Sequence, residues 1–144
     1  MKRIFVDTNV FLEAILNRDY SNQAKQLFQD IDSGKLEAVT SVGSFYTITY
    51  YAELALKKKG IDQEKRMSVL RQILNSILNR VVIVYSDNSI LMNGVNDNNF
   101  NDLEDSYQYH LAISAKCDSL VTLNTKDFPL SNDTLRIINL KDFA

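Results

Sequence analysis

Short apolar strands alternating with amphipathic helices predict an α/β domain whose parallel sheet is covered on both faces. Two apolar runs stand out, Ile4-Phe5-Val6 and Val81-Val82-Ile83-Val84, each closed by polar residues. Between them lie helical rhythms, clearest in Met67, Leu70, Ile73, Leu74, Ile77 and Leu78 at i, i+3, i+4 and i+7 spacing. No repeat, low-complexity linker or composition break interrupts residues 1–144, so a single domain is expected.

The first strand stops at Asp7-Thr8-Asn9, and Asp7 or Thr8 is placed to cap the helix that carries Val10, Phe11, Leu12, Ala14, Ile15 and Leu16. Ser21 is the expected cap of a second helix with Ala24, Leu27, Phe28 and Ile31 on one face. That helix closes at Ser33-Gly34, where glycine suits the left-handed C-terminal position. Residues 36–40 read as the second strand. A long helix runs from Ser44 to Lys57-Lys58-Lys59-Gly60, its basic end well placed against the dipole. Asp62 caps the next helix. Residues 81–84, four β-branched residues in a row, predict a strand covered on both faces. Ser86 caps a short helix through Met92, and the Asn- and Asp-rich residues 93–101 read as a loop. A helix over residues 102–116 carries Leu103, Leu111, Ala112 and Ala115; strands at residues 119–123 and 135–139 complete the chain.

Composition narrows the chemistry. One Cys (Cys117) excludes an intrachain disulfide framework and a multi-Cys zinc site, and one His (His110) excludes paired imidazoles. Chemistry must then rest on carboxylates, hydroxyls or an imported cofactor. No stretch approaches the ~20 apolar residues of a membrane span, and the first apolar run is too short for a signal peptide. No membrane association is expected, and the address is cytoplasmic. A formal net charge of -2 argues against a broad basic face, though not against local patches.

The acids fall at related places. Asp7 follows the first strand, Asp127 follows the fourth, and Asp102 and Asp105 open the helix that leads into the fourth. In a parallel sheet of this kind, helix N-termini and strand C-termini share one rim, where ligands gather. Close like charges repel by about 1 kcal/mol in water and about 4 at an effective dielectric of 20, so such a cluster needs protons or a cation. Hard oxygen donors suit Mg²⁺ or Mn²⁺, which can activate water and stabilise charge on a phosphodiester. Each acid also has a plainer reading: Asp7 as a helix cap, Asp102 and Asp105 as an acidic capping box, Asp127 as a turn residue. His110 and Cys117 read as structural. Lys57-Lys58-Lys59 reads as a solvated helix end or as phosphate contacts. Tyr46, Tyr50 and Tyr51 read as core and interface packing before a base-stacking platform.

Residues 4–10 (IFVDTNV), 102–106 (DLEDS) and 121–128 (VTLNTKDF), in this order and spacing, resemble the signature of PIN domains, in particular the VapC-like toxins of bacterial toxin–antitoxin modules. The resemblance spans nearly the whole chain. It implies a three-layer α/β/α sandwich with a central five-stranded parallel sheet. It also implies a Mg²⁺- or Mn²⁺-dependent endoribonuclease that cleaves RNA, forms a homodimer and is held inactive by an antitoxin protein. Carried over by position, Asp7 and Asp105 are the expected metal ligands, with Asp102 and Asp127 as further catalytic acids. Thr122 and Asn124 belong to the polar group after the fourth strand, and Asn9 braces the loop of the first acid.

One position departs from the pattern. Members of the family often carry a Glu about six residues beyond a Ser like Ser41, and here that place is Thr47. The first acid on that helix is Glu53, rotated by about 120° and about 9 Å further along, so it is a poor substitute. Thr47 therefore keeps a second reading open, a catalytically degenerate PIN-fold module acting through protein or RNA binding. A phosphatase-like reading is set aside, because Asn9 stands where a second acid would be needed two residues after Asp7.

Overall fold

The computed structural model describes residues 2–129, 132 and 134–143. Five strands, β1 (Lys2–Val6), β2 (Leu36–Ser41), β3 (Val81–Val84), β4 (Ser119–Thr122) and β5 (Arg136–Asn139), form one sheet in the order β3-β2-β1-β4-β5. Every pairing is parallel. Six helices connect them among the described residues: α1 (Thr8–Ile15), α2 (Ser21–Asp32), α3 (Val42–Lys58), α4 (Gln63–Leu78), α5 (Asn88–Val95) and α6 (Leu103–Ser114).

The period-2 alternation of β1 divides the core into two layers. Ile4 and Val6 pack with Phe11 of α1, Leu27 of α2, Ile48 of α3 and Ile77 of α4. Phe5 points the other way, into Tyr109, Leu111 and Ala112 of α6, with Ile90 of α5 beside them. Helices thus cover both faces of the sheet, giving the three-layer sandwich. From β1 the chain winds out to β2 and β3, then crosses back to place β4 on the other side of β1. The switch point lies between the C-terminal ends of β1 and β4, and this is the crevice where the first and fourth strands deliver their polar residues.

Several local expectations are corrected. β3 is an edge strand, and its continuous apolar run is not covered on both faces: Val82 is 52% exposed. Ser21 is the first helical residue of α2 and Tyr20 precedes it, without a side-chain cap. Helix α3 begins at Val42, and Ser41 caps it by accepting from the Ser44 amide at 2.9 Å. The cap of α5 is Asp87, not Ser86, and the helix continues to Val95 through part of the expected loop. Helix α6 ends at Ser114; Lys116 already has a φ of 59°, and Leu103 of the expected buried face is exposed. Leu123 and Leu135 fall just outside their strands.

The tyrosines of α3 are not core. The buried stripe of that helix is Ser44, Ile48, Ala52 and Leu56, each four residues apart. Tyr46 and Tyr50 are offset from it by about half a turn and are 70% and 63% exposed. Tyr51 is also exposed, edge-on to Tyr50 with ring centroids 5.2 Å apart.

Candidate active site

The centre of the site is Asp7, the N-cap of α1, buried to 5% exposure at the end of the central strand. Its Oδ1 accepts from the Thr8 amide at 2.8 Å and from Gln108 Nε2 at 3.5 Å. Its Oδ2 accepts from Thr122 Oγ1 at 2.8 Å. The β1–β4 register pairs Val6 with Val121, and the Asp7 amide donates to the Val121 carbonyl at 3.0 Å, so the next residues out, Asp7 and Thr122, meet across the switch point. Burial raises the Asp7 pKa; the bonds from Thr122, Thr8 and Gln108 oppose that rise, and the charge of Asp102 adds to it.

The loop after β4 is tied to the start of α1. Asn9 Oδ1 accepts from the Leu123 amide at 3.3 Å, and its Nδ2 lies 3.5 Å from Thr122 Oγ1. The Asn124 amide donates to the same Thr122 oxygen at 3.1 Å, while the Asn124 side chain is exposed. Thr122 thereby orders both the acid and its surroundings.

Asp105 lies in the first turn of α6, half-buried, with its carboxyl pushed up to about 7. Burial is the largest cause, followed by the charges of Asp7, Asp102, Asp127 and Glu104. The four acids expected from the sequence therefore do share one electrostatic neighbourhood, but in different conditions. Asp102 caps α6, accepting from the Asp105 amide at 3.2 Å, and is exposed. Asp127 is exposed in the 3-10 turn Thr125–Asp127. Among the described residues, no three of His, Cys, Asp and Glu stand close enough to enclose an ion. The charges of Asp7, Asp102, Asp127 and Glu104 all reach Asp105. A negative field built on oxygen donors alone is of the kind that a hard divalent cation could offset.

Three participants were missed in the sequence. Gln108 Nε2 reaches Ser44 Oγ as well as Asp7, and Thr8 Oγ1 donates to the same Ser44 oxygen at 2.7 Å. Gln108 follows Asp105 by three residues on α6, and Ser44 follows the Ser41 cap by three, so helical spacing carried the signal. Glu104 is the third: largely exposed at the start of α6, it lines the adjoining cleft, and its carboxyl is raised by partial desolvation and by the charges of Asp102 and Asp7. Ser41 and Thr47 line the adjoining cleft with Glu104 instead of touching Asp7. Glu53 is turned away, 3.7 Å from Arg66 Nε, and takes no part. His110 is structural, its Nε2 2.8 Å from Asp97 Oδ2; Cys117 is buried, its thiol pushed up to about 12 by burial.

A model of the PIN domain family matches residues 3–126, most of the chain. The chain belongs to the PIN domain family. It is 33% identical over 136 residues to Ribonuclease VapC1 of Aquifex aeolicus (strain VF5), covering 88% of this chain and 84% of that protein. The same fold occurs in the crystal structure of VapBC2 from Rickettsia felis bound to a DNA fragment from their promoter. That likeness has a TM-score of 0.60 at 18% identity, over 95% of this chain and 98% of that one. In this PIN domain the buried acid and its threonine donor meet at the switch point, and Gln108 of α6 reaches the same carboxylate. Among the described residues, no helix is long and apolar enough to cross a membrane.

Proposed function

We propose that this PIN domain is a divalent-metal-dependent endoribonuclease, the toxin of a toxin–antitoxin pair. The observation that carries the reading is Asp7, buried at the switch point with its carboxylate fixed by Thr122, Thr8 and Gln108, and Asp105 half-buried in the first turn of α6, where the charge of Asp7 reaches it. Asp7 and Asp105 would hold Mg²⁺ or Mn²⁺. When bound, such an ion acidifies water and stabilises charge on a phosphodiester. Thr122, Thr8 and Gln108 fix the Asp7 carboxylate, so its orientation is set before any ligand arrives. Asp102, Asp127 and Glu104 keep the surrounding potential negative. RNA is the substrate, an antitoxin protein is the partner, the active form is a homodimer, and the setting is the cytoplasm. The relative named a ribonuclease and the fold match to a VapBC complex support this reading.

Incubating the chain with structured RNA and Mn²⁺ should give cleavage that EDTA, Asp7→Asn and Asp105→Asn each abolish. Cleavage persisting in both variants would overturn the assignment. Thr47 favours a second reading, a binding module without catalysis; metal-independent RNA retention with no cleavage would select it.

A further inference from the structure

Beside the acids lies a cleft of about 450 Å³, between the start of α3, the residues after β3 and the α5–α6 pair. We propose that this cleft receives one nucleobase of the RNA strand, with Tyr85 and Tyr107 as its aromatic walls and Glu104 as its hydrogen-bond acceptor. The proposal rests on the ribonuclease reading for its substrate strand, but base binding is measurable without cleavage.

The cleft is built rather than incidental. Its volume falls in the range of small-molecule sites, ~300–1,000 Å³. Tyr107 is locked from behind: a Cβ on Gly94 would stand 2.7 Å from Tyr107 Cδ1, so only glycine lets the ring lie against α5. Ser106 Oγ donates to the Gly94 carbonyl at 2.7 Å, tying α6 to α5 at the same point. Tyr85 also lines the cleft and is 77% exposed, a large aromatic surface that packing inside the chain leaves uncovered. Single-stranded bases are held by stacking on such side chains and read along their Watson–Crick edges.

Continuity with the acids decides the occupant. Gln108 lines the cleft while its Nε2 donates to Ser44 Oγ and lies 3.5 Å from Asp7. One residue is thus the shared wall, and a base in the cleft has its own backbone beside Asp7. Thr47 contributes a small hydroxyl-bearing side chain to the lining. Glu104 offers two acceptor oxygens and no donor when ionised, a match to the adjacent N1–H and N2–H groups of guanine and a mismatch to the flanking carbonyls of uracil.

The test uses the full ¹⁵N-labelled chain with EDTA, so that no metal–phosphate bridge contributes, titrated with guanosine, adenosine, cytidine and uridine. Amide shifts at Tyr85, Glu104 and Tyr107 are expected, strongest with guanosine. Tyr85→Ala should weaken the apparent Kd by about five-fold or more, as loss of a stacking partner requires. Its Mn²⁺-dependent rise in Tm should match the unmodified chain, which separates a lost wall from a lost fold. Unmoved amides with all four nucleosides, or wild-type binding by Tyr85→Ala, would overturn the proposal. RNA cleavage measured in parallel keeps the two readings apart. Nucleoside binding without cleavage would sink the ribonuclease and leave the base pocket; cleavage without nucleoside binding would do the reverse.

Discussion

Thr122 Oγ1 stands 2.8 Å from Asp7 Oδ2, joining residues 115 positions apart in the chain. This bond closes the switch point. The same oxygen accepts from the Asn124 amide at 3.1 Å, so one hydroxyl aligns the buried acid and the loop that follows β4.

Thr122→Val keeps the shape and removes that hydroxyl. Loss of a hydrogen bond to a buried carboxyl, with an amide also left unpaired, should cost about 1–3 kcal/mol. Chemical denaturation measures the loss. Mn²⁺ titration should show weaker stabilisation than in the unmodified chain. An unchanged metal response would mean that Thr122 does not orient Asp7.

The raised acids set a pH dependence. Asp105 is pushed up to about 7, against about 3.9 in an unfolded chain. Across that window the folded state binds more protons than the unfolded state, so this contribution to stability is present at low pH and lost as pH rises through about 7. Asp7 is shifted in the same direction. Metal-free Asp105→Asn should therefore gain stability relative to the unmodified chain as pH is raised from 5 to 8, read as the difference in Tm. A difference that shrinks with pH would contradict the raised pKa.

Mn²⁺ should reverse the ranking at pH 8. The ion neutralises the field that destabilises the metal-free chain, so the unmodified protein should gain more Tm than Asp7→Asn or Asp105→Asn. Equal gains in all three proteins would place the ion elsewhere.

Gly94→Ala opposes two effects. Alanine is favoured over glycine in a helix by about 1 kcal/mol, yet its Cβ would stand 2.7 Å from Tyr107 Cδ1 and 3.4 Å from Tyr107 Cα. Overpacking of this kind costs about 1–3 kcal/mol, and contact with the Tyr107 backbone limits relief. Net destabilisation is expected. Combining it with Tyr107→Ala should give a strongly non-additive cycle, because the second change removes the clash.

Glu53→Gln tests the first acid on α3. Glu53 lies 3.7 Å from Arg66 Nε, and that nitrogen has no hydrogen-bond partner among the described residues. The substitution should cost about 1 kcal/mol at this partly buried pair and leave the Mn²⁺ response unaltered. A reduced response would show that Glu53 reaches the ion after all.

The parallel sheet and the places of Asp7 and Asp127 after strands and of Asp102 and Asp105 at the start of α6 were legible in the chain, since hydrophobic periodicity and cap residues are local signals. What local signals could not carry was strand order. The run Val81–Val84 looks two-sided by composition, and only its place at the sheet edge leaves Val82 open. The tyrosines of α3 look like core for the same reason; the phase of the helix against the sheet turns Tyr46 and Tyr50 outward.

By itself, the sequence narrowed the available chemistry to carboxylates, hydroxyls or an imported cofactor, because a lone His and a lone Cys leave no paired imidazoles and no multi-Cys set. It also gave the expectation that a parallel sheet covered on both faces could bring the acids to one rim. Tertiary structure alone decided their inequality. Asp7 is buried and triply hydrogen-bonded, Asp105 is half-buried and raised, and Asp102 and Asp127 stay in water. Gln108 and Ser44 entered the site through the same packing. Desolvation and long-range pairing cause these differences, and both depend on which segments lie across the crevice rather than on neighbours in the chain.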